Sequence, residues 1–78
     1  METKTFSISE VSQMTGVSKN RIREWHEKGL LPEVQMISVG SRLHRRFTHA
    51  DTELIKRIRE YLEQGYVLTF AAQRAREK

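Results

Sequence analysis

Two stretches of the sequence concentrate side chains that can bind a phosphate or the edge of a nucleic-acid base. Residues 18–23 contribute one group and residues 42–46 contribute the other. The members are Ser18, Lys19, Asn20, Arg21 and Arg23 in the first group, and Arg42, His44, Arg45 and Arg46 in the second. Lysine and arginine neutralise phosphates, arginine also donates two hydrogen bonds to guanine, and asparagine pairs with adenine. The combination predicts recognition of double-stranded DNA, with an ordinary solvated basic surface as the alternative interpretation.

The positive charge of the chain is localised. The 78 residues carry a net charge of +4. Residues 1–18 have one lysine and two glutamates, residues 19–46 have seven basic and three acidic side chains, and residues 47–78 have six basic and five acidic ones. The excess therefore lies in the middle third of the chain, and a local excess of this kind on a small domain indicates a polyanionic partner.

The sequence gives little indication of metal binding, catalysis or membrane insertion. The chain has no cysteine, and His26, His44 and His49 lack the paired spacing of a zinc site, so we expect no metal and no cofactor. No nucleophile, base and orienting group form a recognisable pattern, and we interpret Ser18 as a helix cap and His26 as a surface residue. No stretch approaches the roughly 18 apolar residues of a membrane span, and no signal-peptide pattern begins the chain. We therefore expect a cytoplasmic protein that is not an enzyme.

Residues 7–28 predict two short helices joined by a tight turn. Ser7 followed by Glu10 is a capping box that begins the first helix, and Gly16 can adopt the left-handed conformation that ends it. Ser18 is a favourable cap for the second helix. The residues predicted to face inward are Ile8, Val11, Met14, Ile22 and Trp25, and those predicted to face outward or to the flank are Lys19, Asn20, Arg23, Glu24 and Glu27. The outer face of the second helix is therefore polar and partly basic.

Residues 33–47 predict a β-hairpin that turns at Val39-Gly40-Ser41. Side chains alternate between the two faces of a strand, and Phe47 is expected to reach the core on the same face as Arg45. The more exposed cationic or polar side chains are then expected to be Arg42, His44 and Arg46. A hairpin with these side chains beside a helix-turn-helix is typical of a wing.

Two further helices complete the predicted fold. A long helix over about residues 49–64 begins at a capping box formed by Thr48 and Asp51, and a short C-terminal helix over about residues 70–76 is capped by Thr69. The predicted apolar stripe of the long helix is Ala50, Leu54, Ile55, Ile58, Tyr61 and Leu62. Its opposite face is expected to be solvated, with the pairs Glu53–Arg57, Lys56–Glu60 and Arg59–Glu63. The predicted fold class is mainly α with a small β-hairpin, a winged helix-turn-helix of about four helices plus a wing, in a single domain over residues 1–78.

The order of these motifs resembles the N-terminal winged helix-turn-helix domain of MerR-type bacterial regulators over about residues 6–75. The most specific segments are ISEVSQMTGVS, IREWHEKGLLP and HRRFTHAD. The resemblance implies a cytoplasmic, nucleoid-associated DNA-binding protein whose second helix enters the major groove and whose wing touches phosphates. It also implies that Arg23 reaches DNA with Trp25 behind it, and that Arg45 and Arg46 are the paired basic residues of the wing. Glu24 departs from the pattern, because many members have a phosphate-contacting tyrosine there.

Three functions remain compatible with this resemblance. The first is a transcription regulator, the second is a small DNA-architectural or excisionase-like protein that binds tandem sites and bends them, and the third is a protein-interaction or RNA-binding module that kept the fold. Full-length MerR-type regulators continue into a dimerising helix and an effector domain. The chain is therefore either an isolated DNA-binding domain or a minimal member, similar to BldC-like regulators and phage excisionases, that associates with itself on DNA.

Overall fold

A computed structural model describes residues 4–77, so the outermost residues of the predicted 1–78 domain lie outside the described range. The described residues form four helices and one two-stranded hairpin, and the fold class predicted from the sequence is confirmed. In chain order, the elements are α1 (Ile8–Thr15), α2 (Lys19–Glu27), β1 (Gln35–Val39), β2 (Arg42–Arg46), α3 (His49–Glu63) and α4 (Leu68–Arg76).

Local side-chain caps begin three of the four helices, as predicted. The Ser7 hydroxyl accepts the Glu10 N–H at 3.2 Å, and the Glu10 carboxylate accepts the Ser7 N–H at 2.9 Å. Ser18 accepts the Arg21 N–H at 3.2 Å, and the Thr48 box closes in the same way with Asp51. Each cap satisfies backbone donors that the first turn of a helix leaves without a partner.

The helix α4 begins earlier than predicted. Val67 occupies its cap position and makes no side-chain cap bond, so the prediction that Thr69 caps this helix is wrong. The Ala71 N–H already bonds to the Val67 carbonyl at 2.8 Å, which places Thr69 inside the helix. The earlier start carries Leu68 into contact with the core, where its apolar side chain is partly buried.

The hydrophobic core takes side chains from both helices of the helix-turn-helix, from the end of the hairpin, and from α3 and α4. Its buried members are Val11, Val17, Ile22, Trp25, Leu31, Val34, Phe47, Ile55, Ile58, Ala71, Ala72 and Ala75. The three alanines lie on α4, and their small size lets this helix approach α3 closely. The core therefore supports α2 from behind and leaves its outer face to solvent.

Two residues predicted to be in apolar stripes are exposed instead. Met14 is 46% exposed, and Thr15 is buried in its place, because the buried positions of α1 follow the i, i+4 spacing from Val11. The Thr15 hydroxyl donates to the Val11 carbonyl at 2.8 Å and accepts the Val17 N–H at 3.2 Å. On α3, Ala50 is exposed at the first turn, where the buried side chain belongs to the capping residue Asp51.

The turn between α1 and α2 is held from outside by α3. Gly16 has a φ of +76°, and its N–H donates to the Ser12 carbonyl at 2.9 Å. Nη1 of Arg59 donates to the Thr15 carbonyl at 2.9 Å, while its Nε pairs with Glu63 at 2.9 Å. Cations that bond the last carbonyls of a helix stabilise its C-terminus. The prediction that this face of α3 is simply solvated is therefore wrong at Arg59.

The remaining pairs predicted along α3 also differ from the structure. Among residues 4–77, Arg59 on this helix pairs with Glu63, as predicted, and Nε2 of His49 lies 3.8 Å from Oε1 of Glu53. Glu53 therefore turns towards the start of the helix rather than towards Arg57. Exposed pairs of this kind contribute little, so the difference changes the surface of α3 and not its packing.

Gly16→Ala is expected to lower the free energy of unfolding by about 1–3 kcal/mol, because an L side chain is strained at this positive φ. A Cβ at this position would also lie 3.0 Å from Nη1 of Arg59, so the Arg59 bond to Thr15 would have to shift. Urea unfolding measures the loss. Gly29→Ala is the matched control, because Gly29 has a φ of +79° but nothing within 4 Å of an added Cβ. Equal losses in the two variants would contradict the role assigned to Arg59.

The hairpin joins the body of the protein at its base. Gln35 lies opposite Arg46 and Val39 lies opposite Arg42, so Gly40 and Ser41 form a two-residue turn, as predicted. Phe47 exchanges backbone hydrogen bonds of 2.7 and 3.0 Å with Phe6, and its side chain is fully buried. This bridge fixes the end of the wing next to the residues that precede α1.

Candidate nucleic-acid interface

The outer face of α2 presents two of the predicted base-reading side chains as a pair. Ile22 and Trp25 are buried, so the polar residues of this nine-residue helix lie on the opposite side and its flanks. Nη1 of Arg23 donates to Oδ1 of Asn20 at 3.0 Å, and both residues are exposed, as is Lys19 one residue earlier. The hydrogen bond holds an amide and a guanidinium side by side, which is a suitable arrangement for contacts to neighbouring bases in a major groove.

Arg23 also borders a cleft that brings three elements together. The cleft has a volume of about 230 Å³ and is lined by Ser7, Ile8, Arg23, Leu43, His44, Arg45 and Arg46. We call it the basic cleft. It joins the start of α1, the outer side of α2 and the second strand of the hairpin. Three arginines around the positive end of a helix dipole form a surface that attracts a phosphate.

Glu10 is an acidic group beside the basic cleft. The backbone N–H and then the hydroxyl of Ser7 hold the pKa of the Glu10 carboxyl below its ordinary value, with smaller contributions from Arg46 and Lys4. Glu10 is therefore ionised at neutral pH and serves as the cap of α1. The cationic side chains of the cleft come from α2 and β2, and they outnumber this carboxylate.

The two faces of the hairpin carry different cationic side chains. Residues that pair across a two-stranded hairpin share a face, and successive residues alternate. One face carries Arg42, His44 and Arg46, whereas Arg45 lies on the other. Arg42 and His44 are exposed, as predicted. Arg46 is half-buried because it donates to the hydroxyl and the carbonyl of Thr5 at 3.1 and 3.2 Å, so the prediction that it belongs to the more exposed set is wrong.

Arg45 is bound to the end of α2. Its side chain is only 20% exposed, and its Nε donates to Nδ1 of His26 at 3.0 Å, while its Nη2 lies 3.6 Å from Oε1 of Glu27. The interpretation of His26 as a surface residue is therefore incomplete. Its position four residues after Ile22 and one after Trp25 places it at the border of the buried face, and this spacing is the signal in the sequence that could have identified it.

Arg21 and Glu24 lie on the other flank of α2. Arg21 lines a groove with Ser18, Trp25 and Arg59, between α2 and α3. Glu24 lines an adjoining groove with Arg21 and Trp25, beside the start of α4, and its carboxylate pairs with Lys28 at 3.0 Å. Glu24 is exposed and follows Asn20 by four residues, so it lies on the flank of the outer face that is nearer to α4.

The structure thus divides the nine predicted site residues into three groups. Arg23, His44, Arg45 and Arg46 surround the basic cleft, and Asn20 is bonded to Arg23. Lys19 and Arg42 are exposed at the start of α2 and at the start of β2. Ser18 and Arg21 face the groove between α2 and α3.

No three histidine or carboxylate side chains among residues 4–77 gather closely enough to hold a metal ion. None of the helices in this range combines the length and the apolar character needed to cross a membrane.

The chain matches a protein-family model over nearly its whole length. Residues 6–77 match the family model described as "MerR HTH family regulatory protein". The resemblance noted from the sequence motifs is thereby confirmed. No match to the chain was found among curated proteins.

Proposed function

The chain belongs to the MerR HTH family of regulatory proteins, which are DNA-binding regulators, and we propose that it is a bacterial transcription regulator that binds double-stranded DNA sequence-specifically. The observation that carries this proposal is the basic cleft, where Arg23 of α2 meets the cationic side chains of β2 beside the start of α1. In this arrangement one element reads bases while the neighbouring elements bind the backbone.

We assign the two roles to different residues. Asn20 and Arg23 enter the major groove and contact adenine and guanine, and Lys19 contacts the backbone at the start of the same helix. Arg42 and His44 on the exposed face of the wing, with Arg46 at its base, contact phosphates. Residues 1–78 form a single domain in this proposal, and the protein acts in the cytoplasm with the nucleoid.

The proposal is tested by selecting bound fragments from random duplex DNA and then titrating the best fragment against salt. We expect one enriched sequence and an affinity that falls steeply as the salt concentration rises, because bound cations displace the counterions of DNA. An affinity that does not change with salt would contradict the proposal. A symmetric footprint would indicate a dimer, and tandem direct repeats would indicate the architectural or excisionase-like function instead.

Arg42→Gln is expected to weaken binding to all duplexes by a similar factor and to reduce the slope of log K against log salt by about one unit. Arg42 is exposed on the outer face of the wing, at the position that pairs with Val39 next to the turn. Fluorescence anisotropy at several salt concentrations measures the slope.

Arg57→Gln is the matched control for this prediction. Arg57 is an exposed arginine of α3 that lines a separate cavity with Pro32, Ala75 and Arg76. Its removal lowers the net charge equally but is expected to leave the slope nearly unchanged. Similar slopes for the two variants would show that the wing makes no specific phosphate contact through Arg42.

A further inference from the structure

The wing and α2 are joined by one side-chain hydrogen bond among the described residues, the bond from Nε of Arg45 to Nδ1 of His26. Glu27 adds a longer contact of 3.6 Å to the same guanidinium, but its carboxylate is largely exposed and contributes little. Arg45 also lines the basic cleft. The group that α2 holds in place is therefore one that faces the proposed phosphate.

We propose that His26 is a positioning residue that fixes Arg45, and through it the orientation of the wing, relative to the helix that enters the major groove. This inference rests on the proposed DNA-binding function and deepens it. A hairpin attached only at its base can rock against the helices. An accepting nitrogen on α2 removes that freedom before DNA arrives, so less ordering is required on binding.

The hydrogen bond requires the neutral imidazole with its proton on Nε2, because Arg45 is always a donor and Nδ1 must accept. Partial burial and then the neighbouring Arg45 hold the pKa of His26 below its ordinary value of 6.5. The other charged groups that face it are Glu27 on α2 and Asp51 on α3, and both act in the opposite direction. His26 is therefore neutral at pH 7, in the form that the bond needs.

Acidification is expected to break this contact. Once Nδ1 is protonated, two donors and two positive charges face one another, and Arg45 is released. Between the ordinary value of 6.5 and the lower folded-state pKa, the unfolded chain binds more protons than the folded one, so this contribution to stability is lost as the pH falls. The bond between Arg45 and His26 thus holds the wing at pH values above this range and releases it at pH values below this range.

The direct test is an NMR measurement on the free protein. A scalar coupling across the hydrogen bond between the ¹⁵N nuclei of Arg45 Nε and His26 Nδ1 is expected at about pH 7.5 and should disappear as the pH is lowered through the folded-state pKa of His26. Absence of the coupling at the higher pH, with the domain folded, would overturn the inference. The measurement needs no DNA, so it separates a failure of this inference from a failure of the proposed function.

The functional test compares His26→Asn with His26→Leu. The Asn Oδ1 can accept from Arg45 in nearly the position of Nδ1 but does not titrate, whereas Leu cannot accept. At about pH 7.5 the Leu variant is expected to bind the selected duplex about fivefold to tenfold more weakly than the Asn variant. As the pH falls from about 7.5 through the folded-state pKa of His26, the affinity of the wild type should fall relative to the Asn variant, because only the wild type loses its acceptor for Arg45.

His49→Asn is the matched control, because His49 is largely exposed on α3 and the substitution is chemically the same. Its pH profile should follow the wild type. Identical profiles for the wild type and His26→Asn would overturn the inference even if the duplex binds well. Conversely, an intact nitrogen coupling in a protein that binds no duplex would leave the link between wing and helix standing and reject the proposed function.

Discussion

Arg23→Ala is expected to weaken binding to the selected duplex by about 1–3 kcal/mol and to relax the preference at one base pair. Arg23 stands on the outer face of α2, bonds to Asn20 at 3.0 Å and borders the basic cleft. A guanidinium in this position can donate two hydrogen bonds to a guanine, and alanine can make neither. Anisotropy titrations on the selected duplex and on a duplex changed at one position measure both effects.

Arg21→Ala is the control that makes this result interpretable. The two arginines lie two residues apart on the same helix, and both are exposed, so either substitution removes one positive charge at a similar place in the sequence. Arg21, however, lines the groove between α2 and α3. Its loss is expected to weaken binding to all duplexes slightly and by the same factor. Equal losses of sequence preference in the two variants would show that the recognition face of α2 is assigned wrongly.

The features of this fold that could be predicted from the sequence are those that depend on neighbouring residues. The caps at Ser7, Ser18 and Thr48 bond to a backbone N–H three residues later, so the residue types and their spacing contain the whole interaction. The hairpin turn at Gly40 and Ser41 is local in the same sense. The family motifs are runs of such local signals, which is why the fold class could be identified before the structure.

Three arginines show what could not be predicted. Arg59 reaches the Thr15 carbonyl 44 residues away, Arg46 reaches Thr5 41 residues away, and Arg45 reaches His26 19 residues away. A sequence indicates that such a side chain is cationic and long. Which acceptor it reaches depends on how the elements pack, because the four rotatable bonds of an arginine side chain allow its guanidinium to reach several acceptors.

The prediction of the candidate site was limited in the same way, because it also depends on how the elements pack. In α2, the buried residues Ile22 and Trp25 define which side faces the core, but they leave the two flanks equivalent. Arg21 and Arg23 are both predicted DNA contacts, but only Arg23 is also predicted to lie on the outward side of the helix. Which flank carries the wing depends on packing, and the structure has the hairpin beside Arg23 and α3 beside Arg21.

Phe47→Ala is expected to lower the free energy of unfolding by about 3–5 kcal/mol, the range for a large aromatic side chain removed from a core. Phe47 is 0% exposed and lies where the hairpin joins the body of the protein. Domains of this size are stable by only about 5–15 kcal/mol, so the loss is a large share of the total. Urea unfolding can be followed by the fluorescence of Trp25, the one tryptophan of the chain, which is buried.

Phe70→Ala removes the same atoms from an exposed site and is the matched control. Phe70 is 42% exposed and stacks on Tyr66 with 5.1 Å between ring centroids, so we expect a loss of about 1 kcal/mol. Because the wing ends at Phe47, Phe47→Ala should also weaken DNA binding in proportion to the unfolded fraction, whereas Phe70→Ala should not. Equal losses of stability would mean that burial of Phe47 does not hold the wing in place, and the assignment of Phe6 and Phe47 as its anchor would be wrong.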